Sequence, residues 1–121
     1  MIKMKEILFI INTPCFTWIP PNAGYVEVSV EQVLIRDHIH YITHFCVDVC
    51  ERLTFCNGNA IPSLFTFLSD KNNHVMNYTP AECVHMHVDK PMLFYFVDEN
   101  NEKIKENCPI LKVKVTYLEK K

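Results

Sequence analysis

The sequence predicts an α+β fold, in which a mixed sheet of four to five strands packs against one long amphipathic helix. Short segments rich in β-branched and aromatic residues recur along the chain, and proline, asparagine or aspartate bounds them. One segment in the middle of the chain instead has apolar residues at helical spacing. The composition, with 49% hydrophobic and 21% charged residues, is typical of a globular protein.

Length and composition exclude several classes of protein. The 121 residues match one domain, spanning 1–121, and the hydrophobic content excludes a disordered tail. Two glycines, Gly24 and Gly58, cannot supply a glycine-rich phosphate loop of the GxGxxG or GxxxxGKS/T type. The formal net charge of −2 gives no reason to expect a nucleic-acid binder. No stretch approaches the ~18 apolar residues of a membrane span.

Two strands are predicted near the start of the chain. Residues 5–11 form a short apolar run that ends at Asn12 and Pro14. This run is too short for the apolar region of a signal peptide, so we expect a cytoplasmic protein. Residues 14–24 are rich in proline and favour a loop. Residues 25–31 alternate between apolar and polar side chains, which predicts a strand with one face in water.

Residues 33–54 have the strongest periodicity in the chain. Six apolar residues, spaced 4, 3, 4, 3 and 4 apart, form one narrow helical stripe: Ile35, Ile39, Ile42, Cys46, Val49 and Leu53. Polar residues occupy the opposite side. Asn57, Gly58 and Asn59 tolerate left-handed backbone and predict the end of the helix. We therefore expect one long helix here, lying across the sheet.

Three further strands follow this segment. Residues 63–69 and 91–97 are apolar runs that predict buried strands, and residues 110–118 alternate, which predicts a last strand with one wet face. Residues 74–90, interrupted by Pro80, are ambiguous between strand and loop. The order strand, strand, helix, strand, strand is that of the ubiquitin-like, or β-grasp, fold.

Two parts of the chain resemble the first lobe of FERM domains, which is itself ubiquitin-like. FCVDVCERL at residues 45–53 and SLFTFLSD at residues 63–70 are similar to its helix and third strand, most of all in Janus kinases. KENCPILKVKV at residues 105–115 is similar to the end of that lobe in ezrin-like proteins. The resemblance implies a cytoplasmic signalling context and a non-enzymatic module that binds a partner protein or a membrane-proximal segment.

Lysines near the end of the chain are the candidate binding residues. Residues 102–121 hold six lysines and three glutamates, a net charge of +3, whereas the rest of the chain is acidic. On the resemblance, Lys103, Lys105, Lys112 and Lys114 would contact an acidic partner protein or an acidic lipid surface. Lysines of this kind also keep an exposed sheet face soluble. No cofactor is expected.

The histidines raise an alternative, a small zinc-binding protein. His40 and His44 lie one turn apart on the predicted helix, so both could reach one zinc ion, with His38, His85 and His87 as further ligands. The HExxH motif is absent, because Tyr41 stands where the glutamate would be. Since His40 and His44 lie opposite the apolar stripe, exposed surface histidines explain them as well.

The six cysteines raise a second alternative, a secreted viral or parasite effector stapled by disulfides. Cys46 and Cys50 lie one helical turn apart, a poor arrangement for bridging distant segments. Free, mostly buried thiols in a reducing compartment are the simpler interpretation. Cysteine catalysis is not favoured, because no cysteine has a sequence environment that would stabilise a thiolate.

Overall fold

A computed structural model describes residues 2–35, 42–50, 52–68, 75–77 and 83–120. Within these ranges the chain forms eleven strands and no helix. The strands are β1 (Ile2–Ile11), β2 (Cys15–Trp18), β3 (Gly24–Leu34), β4 (Ile42–Val47), β5 (Thr54–Cys56), β6 (Asn59–Ile61), β7 (Ser63–Leu68), β8 (Val75–Asn77), β9 (Val84–Val88), β10 (Met92–Asp98) and β11 (Ile110–Lys120).

The strands form two antiparallel sheets and a small hairpin. Sheet A has the order β1-β11-β3, and β9 and β8 pair with successive stretches of β3. Sheet B has the order β2-β10-β4-β7, and β5 pairs with β6. The chain crosses between the sheets at each step from β1 to β4, returns to sheet A between β7 and β8, and crosses again at each step from β9 to β11. This strand order is that of a jelly roll, a sandwich built from two Greek keys.

The core lies between the two sheets. Sheet A contributes valines at alternating positions, such as Val28 and Val113, and both are fully buried. Sheet B contributes phenylalanines, of which Phe45 stacks on Phe94 with ring centroids 5.5 Å apart and lies 5.3 Å from Phe96. The two inner faces therefore meet as β-branched side chains on one side and aromatic rings on the other.

The predicted α+β fold is wrong. Residues 42–47, in the middle of the predicted helix, form strand β4, and β3 continues to Leu34 at the other end of that segment. There is no ubiquitin-like mixed sheet, because every strand pair in the described residues is antiparallel. Strands β1 and β11 are neighbours, but they run antiparallel, and β1 lies at the edge of its sheet.

Strand β4 misled the sequence prediction because both of its faces are buried. Phe45 and Val47 point into the core between the sheets, whereas Cys46 packs with Ile61 and Val97 in a second cluster on the outer face of sheet B. The β5–β6 hairpin covers that face. A strand buried on both sides shows no alternation of apolar and polar residues, so its period of two is hidden.

Asn57 and Gly58 form the turn of a hairpin and not the predicted end of a helix. Asn57 has φ 51° and Gly58 has φ 82°, as a two-residue hairpin turn of type I′ requires. The turn joins β5 to β6 and does not end a helix. Asparagine followed by glycine is common both in hairpin turns of this type and at the ends of helices, because both need left-handed backbone.

The other strand predictions are confirmed. The predicted strands 5–11, 25–31 and 110–118 lie within β1, β3 and β11, and residues 63–68 and 92–97 of the two others lie in β7 and β10. Strand β2 lies inside the predicted loop, where its four residues are followed closely by two prolines. The ambiguous region contains β8 and β9, which are three and five residues long.

Candidate functional site

An apolar groove lies on the outer face of sheet B, where the neighbour of β10 changes. Strand β2 pairs with β10 as far as Tyr95, which lies opposite Cys15. Beyond that point Lys103 bridges to Val97. The cavity between these two neighbours has a volume of about 230 Å³, and we call it the Lys103 groove. Its lining consists of Pro14, Cys15, Leu93, Tyr95, Phe96, Lys103, Ile104 and Lys105.

The pleat of β10 forms the floor of the groove. Phe94 and Phe96 are buried in the core, so the half-buried Leu93 and Tyr95 point outward. The Lys103 ammonium lies 5.3 Å from the centre of the Tyr95 ring, within cation–π range. Burial, with a smaller effect from Cys46, raises the pKa of Tyr95, so its phenol stays neutral. The floor is therefore apolar and uncharged, and positive charge lies at its rim.

The turn that precedes Lys103 is held by one carboxylate. Asp98 Oδ1 accepts hydrogen bonds from the backbone N–H groups of Asn100, at 2.9 Å, and Glu102, at 3.0 Å. The Asp98 N–H donates to the Glu102 carbonyl at 2.9 Å, and the Ile104 N–H donates to the Phe96 carbonyl at 2.9 Å. Lys103 thus extends from a backbone segment that is bonded on both sides.

The structure divides the four predicted lysines into two pairs. Lys103 and Lys105 are exposed and flank the groove on sheet B. Lys112 and Lys114 are half-buried on the outer face of sheet A, in the other layer. Lys114 Nζ lies 3.7 Å from Glu31 Oε1. The predicted single surface of four lysines is therefore not formed, and the first pair borders the Lys103 groove.

A polar cluster on sheet A was not found from the sequence. The Tyr25 hydroxyl donates to Glu27 Oε2 at 3.2 Å and also contacts His85 Nδ1. A hydrogen bond from the Cys83 thiol is the largest influence that lowers the pKa of Glu27. Burial is the main cause that raises the pKa of Cys83, so this thiol is protonated and a poor nucleophile. Strand pairing between β3 and β9 creates the cluster, and no local motif signals it.

The predicted zinc pair is not assembled in the described residues. His44 was expected to face solvent, but it is 1% exposed, and its Nδ1 lies 2.9 Å from Thr66 Oγ1. His40 lies outside the described residues. His85 and His87 do share one exposed face of β9. Among the described residues, no group of three or more potential ligands is close enough to hold a metal ion.

Cys15, Cys46, Cys56 and Cys108 are free thiols in the structure. Cys46 is fully buried, and burial raises its pKa to about 12, so it is inert. Cys15 is exposed and lines the Lys103 groove. The reactivity of Cys15 therefore indicates whether the Lys103 groove is occupied.

Comparisons with protein-family models, with curated proteins and with solved structures give no match. The FERM resemblance assigns a helix to residues 45–53, but in the structure this segment begins with the last three residues of β4. No helix in the described part of the chain is long and apolar enough to cross a membrane.

Proposed function

We propose that the protein is a non-enzymatic interaction module that binds an extended segment of a partner protein in the Lys103 groove. The observation that carries this proposal is an apolar floor with two lysines at its rim. The lining of the groove includes no histidine and no carboxylate that could act as a general acid or base.

The size of the groove favours a peptide over a cofactor. Its volume of about 230 Å³ is below the ~300–1,000 Å³ of sites that enclose a drug-sized ligand. One or two side chains of an extended chain fit such a space, because alternate side chains of a strand point to the same side. The proposed ligand places an apolar side chain on Leu93 and Tyr95.

The lysines specify the charge of that segment. Lys103 and Lys105 are exposed and flank the apolar floor, so an acidic residue beside the apolar anchor would contact them. A solvent-exposed ion pair contributes only about 0–1 kcal/mol. The apolar contacts therefore supply most of the affinity, and the lysines select an acidic segment over a basic one.

The test uses two synthetic peptides, one alternating leucine and glutamate and one alternating leucine and lysine. We expect the acidic peptide to bind, to shift the backbone amide signals of residues 93–96 and 103–105, and to slow alkylation of Cys15. The basic peptide should do none of these. Lys103→Glu and Lys105→Glu should each weaken binding about twofold to fivefold, as the loss of a rim ion pair predicts.

Lys112→Glu is the matched control, because it makes the same charge change on the outer face of sheet A. An equal loss of affinity in this variant would show that only net charge matters, and the groove assignment would be wrong. Vesicles that contain phosphatidylserine address the lipid alternative. If they shift the groove signals and the acidic peptide does not, the ligand is a lipid surface and the proposal fails.

A further inference from the structure

Strand β1 forms one edge of sheet A and is the longest edge strand in the described part of the chain. It pairs with β11 along its whole length, from Ile2 opposite Lys120 to Ile11 opposite Leu111, without a shift in register. None of the described residues pairs with its other side. Within the described part of the chain, alternate residues of β1 therefore present N–H and C=O groups with no strand partner, which form a template for a further strand.

Protection against such pairing is confined to one half of β1. Charged residues, which normally discourage edge pairing, occur at Lys3, Lys5 and Glu6. Residues 7–11 are Ile-Leu-Phe-Ile-Ile and contain no charge and no proline. On the outer face of this half, Leu8 is 55% and Ile10 is 65% exposed. The open edge is thus apolar where it is unprotected.

Two copies of this strand complement each other when they run antiparallel, because the charged half of each lies against the uncharged half of the other. If the cores of both copies lie on the same side of the joined sheet, one residue of β1 must lie opposite the same residue of the second copy. The two-fold axis passes between these two residues, and their position defines the register. An axis at Lys5 or Glu6 sets like charges opposite each other. An axis at Ile7 avoids this and places Ile10 opposite Met4 of the second copy.

We propose that two copies of this chain associate through β1, antiparallel and centred on Ile7, so that their A sheets become one continuous sheet. In this register Met4, which is 46% exposed, and Ile10 form an apolar cross-strand pair twice. Leu8 lies opposite Glu6 of the second copy. The inference does not rest on the proposed function, since the Lys103 groove uses residues of other elements.

Sedimentation equilibrium of the full chain, over increasing concentration, tests the association. The mass should rise from 14.2 kDa toward twice that value, and the β1 amides should become more protected from hydrogen exchange as it does. A mass that stays monomeric at every soluble concentration would overturn the proposal. This measurement on the unmodified protein does not depend on whether any variant folds.

Charge substitutions on the exposed face test the register. Ile10→Lys and Met4→Glu should each raise the dimer dissociation constant about tenfold, corresponding to ~1.4 kcal/mol. The double variant should recover the original affinity, because lysine then faces glutamate across the axis. With an axis at Leu8, Ile10 would instead face Glu6, so tighter association of Ile10→Lys would refute the Ile7 register.

Phe55→Lys is the matched control, because Phe55 is 73% exposed and lies on the β5–β6 hairpin, far from β1 in the strand order. The dimer dissociation constant of the Phe55→Lys variant should equal that of the unmodified chain. A loss equal to that of Ile10→Lys would mean that any exposed apolar residue drives association, and the β1 assignment would be wrong.

Discussion

The outer faces of the two sheets differ, although both sheets pack on the same core. The outer face of sheet A is polar along β11, where Lys112, Lys114 and Thr116 alternate with buried residues, and it is partly open to solvent. The outer face of sheet B is covered by the β5–β6 hairpin, which creates a second buried cluster. Tyr95 packs against that cluster and also lines the Lys103 groove. The candidate site therefore lies where the cover over sheet B ends.

The largest expected effect on stability distinguishes a core residue of sheet B from an exposed residue on the β5–β6 hairpin that covers this sheet. Phe45→Ala should lower the free energy of unfolding by about 3–5 kcal/mol, because it leaves a cavity between Phe94 and Phe96. Phe55→Ala, at a residue that is 73% exposed, should change it by no more than ~0.5 kcal/mol. Urea unfolding of both variants measures the difference. Similar losses would show that the hairpin is as integral to stability as the core.

The second effect is a pH dependence of stability, which arises from His44 on the covered face of sheet B. Burial lowers the pKa of His44 in the folded state, and nearby Asp98 opposes this only in part. The unfolded state therefore binds the proton first, so stability is retained above pH ~6.5 and falls as the pH drops below that value. His44→Asn keeps a side-chain polar group for Thr66 but does not titrate, so its stability should depend less on pH.

Thermal unfolding between pH 5 and 8 compares this variant with the unmodified chain. If the stability of His44→Asn falls as steeply below pH ~6.5 as that of the unmodified chain, burial of His44 is not the cause.

The smallest expected effect lies on the open face of sheet A. Glu31→Gln removes the ion pair between Glu31 and Lys114. The side chain of Glu31 is 30% exposed and that of Lys114 is 24% exposed. Pairs exposed to this degree contribute about 0–1 kcal/mol, and salt screens them. Unfolding at low and at high salt should show a small loss that disappears at high salt. A larger loss that persists in salt would indicate that the open face is as tightly organised as the covered one.

The same contrast explains which strands the sequence could predict. Val26, Val28 and Val30 alternate with polar residues because one face of β3 meets solvent or polar neighbours, so the period of two is visible. His44 and Cys46 of β4 are buried as completely as Phe45, and the alternation is lost. The apolar spacing that remained matched a helix by coincidence.

The candidate site was predictable only in its charged part. Lys103 and Lys105 stand out in a lysine-rich segment and do flank the groove. Cys15 and Tyr95 are eighty positions apart, and only the pairing of β2 with β10 brings them together. Pairing of this kind leaves no local pattern in the sequence. For the same reason, the open edge of β1 could not be recognised before the strand order was known.

The pairing of β1 with β11 has a consequence for how the chain folds. In the described structure, the first strand has no neighbour in its sheet other than the last one. During synthesis, β1 must therefore wait until residues 110–120 have been made before its backbone is paired. Contacts this distant along the sequence slow folding, because a long loop must close before they form. Until then an apolar strand stays available to other chains, so slow or crowded synthesis favours intermolecular pairing.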